Sequence, residues 1–234
     1  VLGDRLSTRT EVVGLKQNSD KPGRARTGLA ALRVTTIDGA GQLVLDFHRC
    51  AMLPLSAGAQ HTGHSDDLSQ IGVEAEPTAE PTADWDATAF RARVPGPHFD
   101  LGLTGSAARS SADVVSSAPE LARLSLNIAA THHDSRVAGK RLVYGGHTIG
   151  LALAQATRLL PNLVTVLAWE SCDHTGPVHE NDTLYSELRI VGAEELPAGR
   201  GGVVRLNSRV YVAGGSDSQE DRDVLDWRFS GLLF

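Results

Sequence analysis

An internal repeat constrains this chain more than any other feature of its sequence. The matching positions keep the same order and lie about 180 residues apart: Asp4 with Asp182, Gly14 with Gly192, and Val-Leu-Asp-Phe at 44–47 with Val-Leu-Asp-Trp at 224–227. A repeated stretch of this size corresponds to a repeated structural unit. We therefore predict two related domains.

The two copies differ in what precedes them. Residues 113–182 of the second copy have no counterpart in the first, where only two residues come before Gly3. We expect an incomplete first domain, whose missing part either lies upstream of Val1, as we favour, or comes from a partner chain. A Pro-, Ala- and Glu-rich run at 74–84 has no helical or strand periodicity and is typical of a linker or mobile loop. The predicted segments are 1–54 for the C-terminal part of the first domain, 55–105 for a linker or insertion, and 106–234 for the second domain with the functional site.

The second copy is predicted to combine one buried helix with a β-sheet. Residues 146–160 are apolar on nearly all sides, which is typical of a buried helix, and Pro161 ends it because proline lacks the N–H that a helix needs. β-rich runs separated by Gly, Pro, Asn or Asp follow the helix at 163–169, 183–191, 203–212 and 224–234, with runs at 6–15, 28–37 and 43–53 in the first copy. This order predicts an α+β fold in which an antiparallel sheet curls around a central helix, the shape called a hotdog.

Composition argues against several classes of partner. The 22 basic and 28 acidic side chains give a net charge of −6, which disfavours a broad surface for nucleic acid. No apolar stretch approaches the roughly 18 residues of a membrane span. The 2 cysteines, Cys50 and Cys172, form no zinc-binding pattern and suit a reducing compartment. We therefore expect a cytoplasmic protein that binds neither nucleic acid nor membrane and holds no metal.

Polar residues cluster just before the predicted helix. Gly145 and Gly146 stand at its start, where unpaired backbone N–H groups can hold a carbonyl oxygen as negative charge develops on it. A histidine nearby, such as His132, can transfer a proton near neutral pH. The alternative is a solvated turn at 132–134 in which neither ring is catalytic. A metal site is disfavoured because the histidines have neither HxH nor HExxH spacing.

A second polar run, Cys172-Asp173-His174, contains the residue types of a nucleophilic triad. Side chains that are adjacent in sequence rarely converge on one point. We therefore predict a structural role for this run.

The stretch before the helix resembles the hydratase-2 motif of MaoC-like enoyl-CoA hydratases. That family motif is Ser-Gly-Asp-x-Asn-Pro-x-His, followed by His-Gly and a helix. The matching residues here are Asn127-x4-His132 and Arg141-Leu142-Val143-Tyr144-Gly145. Downstream, the run 177–184 resembles the family's Pro-Val-x-x-Gly-Asp-Thr-Leu, and 132–147 is similar to the two-hotdog branch that contains mesaconyl-CoA hydratase.

The resemblance implies a double hotdog that reversibly adds water to 2-enoyl-CoA thioesters in the (R)-specific manner. It implies no cofactor, because CoA is part of the substrate. By position, His132 corresponds to the catalytic acid/base and Gly145 to the glycine whose N–H faces the thioester carbonyl. Asn127 stands where the family has aspartate, and a neutral amide can orient water but cannot accept its proton. Tyr144 replaces the histidine of His-Gly.

The missing carboxylate leaves three alternatives. In the favoured one, His132 performs both proton transfers while Asn127 holds the water. A second recruits another carboxylate such as Asp134, and a third is an acyl-CoA-binding protein without catalysis. An acyl-CoA thioesterase is disfavoured because the helix at 146–160 contains no Asp or Glu.

CoA is a polyanion, so a chain of net charge −6 needs a local basic site to bind it. The residues expected to contact the acyl-CoA substrate are Lys140, Arg141, Tyr144 and Gly146. Arg136 lies beside them in sequence, and Arg24, Arg26 and Arg33 of the first copy belong either to the same patch or to a solvated loop. Since hotdogs pair through their sheets, we expect a monomer of two hotdogs or a homodimer.

Overall fold

The computed structural model describes residues 3–23, 25–73, 82–96, 98–137, 139–215 and 220–234. The chain divides into two compact units, 1–76 and 77–234. The described part of the predicted insertion is shared between them, with 55–73 in the first unit and 82–105 in the second. Most of the predicted linker, 74–81, lies outside the described residues.

The first unit contains a three-stranded antiparallel sheet. Its strands, in spatial order, are β1 (Ser7–Gln17), β2 (Thr27–Ile37) and β3 (Leu43–Pro54), which confirms the three predicted runs. A later segment returns to β1, where the Leu15 N–H donates to Asp66 Oδ2 at 2.8 Å. Leu68 lies so close to Gly14 that an added Cβ would be 2.7 Å from Leu68 Cδ2. Gly14, which the repeat matches with Gly192, therefore makes room for this segment.

The second unit is a six-stranded antiparallel sheet with a helix against one face. Its strands are β4 (Ala107–Arg109), β5 (Asp113–Val114), β6 (Leu163–Asp173), β7 (Thr183–Glu195), β8 (Gly202–Val212) and β9 (Arg222–Leu233). Their order is β4-β7-β8-β9-β6, and β5 also pairs with β7. The helices are α1 (Ala87–Arg93), α2 (Ala118–Leu124) and α3 (Gly145–Leu159). The structure confirms the predicted α3 and four long strands, whereas β4, β5, α1 and α2 were not predicted.

The two sheets share an irregularity at the positions matched by the repeat. The pairing of β1 with β2 shifts register between Val12 and Gly14, and the pairing of β7 with β8 shifts between Ile190 and Gly192. Such bulges bend a strand and increase its twist. Since β1-β2-β3 and β7-β8-β9 also have the same antiparallel order, the sequence repeat corresponds to a repeated sheet.

The core of the second unit lies between α3 and the sheet. Ala152 and Ala156 of α3 are fully buried in one apolar cluster with strand residues that include Leu206 and Trp227. Successive side chains of a strand point to opposite faces. Accordingly Leu233 belongs to this cluster, while its neighbour Leu232 packs in a second one with α1. Both faces of the sheet are thus covered at this end of β9.

One polar side chain ties α3 to the sheet within the core. Gln155 is fully buried, and its Nε2 donates to Asp113 Oδ2 at 2.8 Å and to the Leu184 carbonyl at 3.0 Å. Its Oε1 accepts from the Ser186 hydroxyl at 2.5 Å. Because buried polar groups are costly when unpaired, this network fixes the position of α3 over β5 and β7.

Gln155→Ala is expected to lower the free energy of unfolding by about 2–4 kcal/mol, because it leaves buried hydrogen-bonding groups unpaired and opens a cavity. Urea denaturation followed by circular dichroism measures the change. Arg158→Ala is the matched control, since Arg158 also bonds to Asp113 but its side chain is 44% exposed. Its expected cost is about 1 kcal/mol or less. Equal losses in the two variants would contradict the role given to Gln155.

Candidate active site

The N-terminus of α3 presents unpaired backbone N–H groups. Tyr144 precedes the helix in an extended conformation, and its side chain forms no capping hydrogen bond. The N–H of His147 donates to the Tyr144 carbonyl at 3.0 Å, whereas those of Gly145 and Gly146 have no acceptor among the described residues. The positive end of the helix dipole adds to these two donors. Together they can stabilise an oxygen atom that gains negative charge.

His132 is held with one ring nitrogen available. It ends the short 3-10 helix Ala130–His132, and its half-buried ring places Nδ1 at 2.8 Å from the Leu142 carbonyl oxygen. Because a carbonyl oxygen only accepts hydrogen bonds, Nδ1 carries the proton and Nε2 of the neutral ring has a free lone pair. This hydrogen bond therefore sets both the orientation and the tautomer that a general base requires.

Tyr144 connects His132 to the helix start. The ring centroids of His132 and Tyr144 are 6.2 Å apart, and the rings meet edge to face at 69°. The Tyr144 ring also lies against Gly146, where an added Cβ would collide with Tyr144 Cε2. A side chain at position 146 would therefore have to displace the Tyr144 ring, which contacts both His132 and Gly146.

A second histidine, His174, for which the sequence predicted only a structural role, lies at the same helix start. His174 follows β6, and a Cβ added to Gly145 would be 2.5 Å from His174 Nε2. His174 is exposed as a residue, and its ring nitrogens form no hydrogen bond with the described residues. Partial desolvation of the ring lowers its pKa, although Asp173 acts in the opposite direction. The pairing joins positions 29 residues apart along the chain. No spacing motif signals it.

Asn127 lies on the same loop as His132, between α2 and α3, and its side-chain amide is available. Its backbone carbonyl oxygen accepts a hydrogen bond from His133 Nε2 at 3.0 Å, and its backbone N–H donates to the Ala122 carbonyl at 2.8 Å. Among the described residues, the half-buried amide has no hydrogen-bond partner, and none joins it to His132. The backbone of Asn127 is therefore fixed while the amide is free to bind water or a ligand.

Asp134 is a poor proton acceptor in this structure. Its carboxylate takes hydrogen bonds from Arg136 at 2.7 to 3.1 Å. These hydrogen bonds lower the pKa of Asp134. The alternative in which Asp134 replaces the family aspartate is disfavoured, because a carboxylate that holds a guanidinium has less affinity for a proton.

The predicted basic site is only partly free. Arg141 is ion-paired with Glu180 and donates to the His133 carbonyl at 3.2 Å, so it stabilises the loop that carries the histidines. Lys140 is exposed and has no partner in the described part of the chain. An open cavity of about 370 Å³ is lined by Ser135, Lys140, Arg141, His179, Glu180, Asn181 and Asp182. Because Arg141 is paired, Lys140 is the basic side chain of this cavity that is available to a ligand.

The ion pairs and the burial of the remaining candidates can be described within each unit. Arg26 pairs with Asp20 and Arg33 with Asp46 within the first unit, and Arg24 lies outside the described residues. Burial raises the pKa of Cys172 to about 11, as expected for a structural thiol rather than a nucleophile. Among the described residues, no group of three or more His, Cys, Asp or Glu side chains is arranged to hold a metal ion. No helix in the described part of the chain is long and apolar enough to cross a membrane.

Comparison with known proteins supports the fold. No protein-family model matches the chain. The solved structure of a conserved hypothetical protein from Mycobacterium tuberculosis, described as a double hotdog, is 67% identical with a TM-score of 0.90. The similarity covers 100% of this chain and 71% of that one.

Two curated relatives are named for reactions of CoA esters. Beta-methylmalyl-CoA dehydratase from Chloroflexus aurantiacus is 26% identical over 90% of this chain and 61% of its own length. Mesaconyl-CoA hydratase from Cereibacter sphaeroides is 27% identical over 87% of this chain and 60% of its own length. The chain thus spans about three fifths of the length of these curated relatives. The 67% identity over the whole chain shows that it belongs with the double-hotdog protein from Mycobacterium tuberculosis, and the two curated relatives support a MaoC-like hydratase or dehydratase.

Proposed function

We propose that this chain carries the active site of a hydro-lyase that reversibly adds water to a 2-enoyl-CoA thioester in the (R)-specific manner. The observation that carries the proposal is the hydrogen bond from His132 Nδ1 to the Leu142 carbonyl. It leaves Nε2 as a proton acceptor, and the Tyr144 ring contacts both His132 and Gly146 at the start of α3, where the N–H groups are unpaired. A base and an oxyanion site are the two elements that such a hydration needs.

The proposed reaction proceeds by two proton transfers through one ring. The thioester oxygen accepts hydrogen bonds from the N–H groups at Gly145 and Gly146, which draws electron density from the conjugated double bond. His132 Nε2 removes a proton from water as the oxygen bonds to the β-carbon. The protonated ring then delivers that proton to the α-carbon, so the elements of one water molecule are added and His132 returns to its neutral form. Dehydration follows the same path in reverse.

Asn127 is proposed to hold the attacking water. Its amide is available and its backbone is fixed by the bond from His133, so it can hydrogen-bond the water without taking its proton. This division of roles explains how a site with one acid/base group can serve both transfers. Lys140, which is exposed beside the open cavity, is proposed to meet the CoA phosphates, while Arg141, which is paired with Glu180, is proposed to hold the loop next to it.

The curated relatives support a dicarboxylic substrate as the first one to test. They are named for beta-methylmalyl-CoA and mesaconyl-CoA, and both names describe branched dicarboxylic acyl groups. The test mixes the full chain with crotonyl-CoA or mesaconyl-CoA and follows the loss of enoyl-thioester absorbance. Chiral analysis of the product checks the (R) configuration. Absence of hydration with every enoyl-CoA would contradict the proposal.

Restoring the family carboxylate by Asn127→Asp is expected to raise kcat about tenfold, because a second acid/base group then shares the proton transfers. Asn127→Ala is the control, with an expected fall in kcat of about tenfold from loss of the water ligand. Both variants are compared with the unchanged chain in the absorbance assay. If Asn127→Asp and Asn127→Ala have the same kcat, position 127 does not contact the attacking water.

One observation favours a second candidate, a non-catalytic acyl-CoA-binding protein. The neutral Asn127 removes an acid/base group that the family motif contains. Isothermal titration with butyryl-CoA separates the two candidates. Binding of butyryl-CoA without hydration of any enoyl-CoA and without thiol release would favour the binding protein.

A further inference from the structure

His174 lies at the N-terminal end of α3, where a bound carbonyl would accept hydrogen bonds from the helix. A Cβ added to Gly145 would be 2.5 Å from His174 Nε2 and 2.8 Å from Cε1. The Cα–Cβ direction in a helix tilts toward the N-terminus. His174 Nε2 therefore occupies the space in front of the first turn, into which the unpaired N–H groups of Gly145 and Gly146 also point.

The ring of His174 is available as a neutral donor. Neither ring nitrogen of this exposed residue has a hydrogen-bond partner among the described residues, and partial desolvation lowers the pKa of the ring more than Asp173 raises it. The positive end of α3 also disfavours a cation at this place. A neutral imidazole at a helix N-terminus can polarise a carbonyl through its N–H, because it donates a hydrogen bond without first losing a proton.

We infer that His174 is a catalytic residue whose Nε2–H donates a hydrogen bond to the thioester carbonyl oxygen, beside the N–H groups of Gly145 and Gly146. The inference rests on the proposed hydration. His174 thereby stabilises the negative charge that the oxygen gains as water adds to the β-carbon, and it transfers no proton itself. The oxyanion site is thus built from two parts of the chain, the start of α3 and the residue that follows β6.

The competing explanation is steric. In that case the His174 ring covers the helix start and hinders the substrate, and its removal speeds the reaction. The two explanations predict opposite changes in kcat. They also differ in the strength of the bound thioester carbonyl bond, because a hydrogen bond from His174 weakens that bond further, whereas a ring that acts only by its bulk does not.

The test compares His174→Ala and His174→Gln with the unchanged full chain. We expect kcat for hydration to fall by about 10²-fold in His174→Ala, as for loss of one oxyanion donor, with KM changed much less. His174→Gln keeps an N–H donor and should recover part of the rate. His98→Ala is the control, since His98 is an exposed histidine of the same unit. A rise in kcat, or an unchanged kcat, in His174→Ala would overturn the inference.

A second measurement observes the bound carbonyl without turnover. Butyryl-CoA labelled with ¹³C at the thioester carbon cannot be hydrated, and its carbonyl stretch is read by isotope-edited infrared spectroscopy. The unchanged chain should shift this band to lower wavenumber on binding, and His174→Ala should lose part of the shift. An equal shift in both proteins would overturn the role of His174 while leaving hydration intact. Failure of the unchanged chain to hydrate any enoyl-CoA would instead overturn the proposed function, and this inference with it.

Discussion

His132→Ala is expected to lower kcat for enoyl-CoA hydration by about 10²–10⁴-fold, the usual contribution of a positioned acid/base group. The reason is specific to the geometry, because the Nδ1 bond to Leu142 at 2.8 Å leaves Nε2 as the proton acceptor. Loss of enoyl-thioester absorbance under saturating substrate measures the effect. KM should change much less, since the ring acts on water rather than on CoA.

His132→Asn separates catalysis from loop stability. The asparagine amide that this change introduces can still donate to the Leu142 carbonyl, but it cannot accept a proton from water. We therefore expect the loop to remain in place and kcat to stay as low as in His132→Ala. If His132→Asn retains most of the activity of the unchanged chain, His132 positions the loop and another group is the base.

Sequence patterns predicted the elements that depend on local periodicity. The buried helix and the long strands were recognised because their apolar residues recur over many positions between turn residues, as in β8 (Gly202–Val212). α1 and α2 are only 7 residues long, too short for a helical period to be recognised. The Ser117 that precedes α2 also has a left-handed backbone, with a φ of 54°, which residue preferences do not predict.

The site residues likewise divide into those that a local motif indicates and those that depend on the fold. The glycines at the start of α3 and His132 lie in one continuous stretch, so a motif resemblance indicates them together. Ion pairs that change the role of a residue depend on tertiary structure instead. Arg141 is paired with Glu180, which lies in the turn before β7. The guanidinium that the sequence alone assigns to CoA is therefore already bound to a carboxylate.

The run Cys172-Asp173-His174 shows most clearly what a sequence pattern does not predict. Its residue types are adjacent in sequence, yet Cys172 lies half-buried on β6 while His174 leaves the strand and reaches the start of α3. The predicted lack of a nucleophilic triad agrees with the raised pKa of Cys172. The contact of His174 with Gly145 requires β6 to end beside the helix start, which is information about the fold and not about a motif.

Gly145→Ala tests the helix start with the smallest possible change. The added methyl carbon would lie 2.5 Å from His174 Nε2, closer than real contacts allow, so either the ring or the first turn must move. Both movements displace oxyanion donors, and we expect kcat to fall by about 10²–10³-fold. The absorbance assay measures this, and circular dichroism verifies that α3 is retained.

Gly150→Ala is the matched control for this change. Gly150 lies in the same helix, and an added Cβ would meet nothing within 4 Å. Because alanine is the better helix former, Gly150→Ala should raise the free energy of unfolding by roughly 0.5–1 kcal/mol and leave kcat unchanged. The same propensity gain acts at Gly145, so a large loss of activity there cannot come from a weaker helix. Equal kcat values for Gly145→Ala and Gly150→Ala would show that the start of α3 does not hold the thioester oxygen, because a collision that displaces the donors would then have no effect on the reaction.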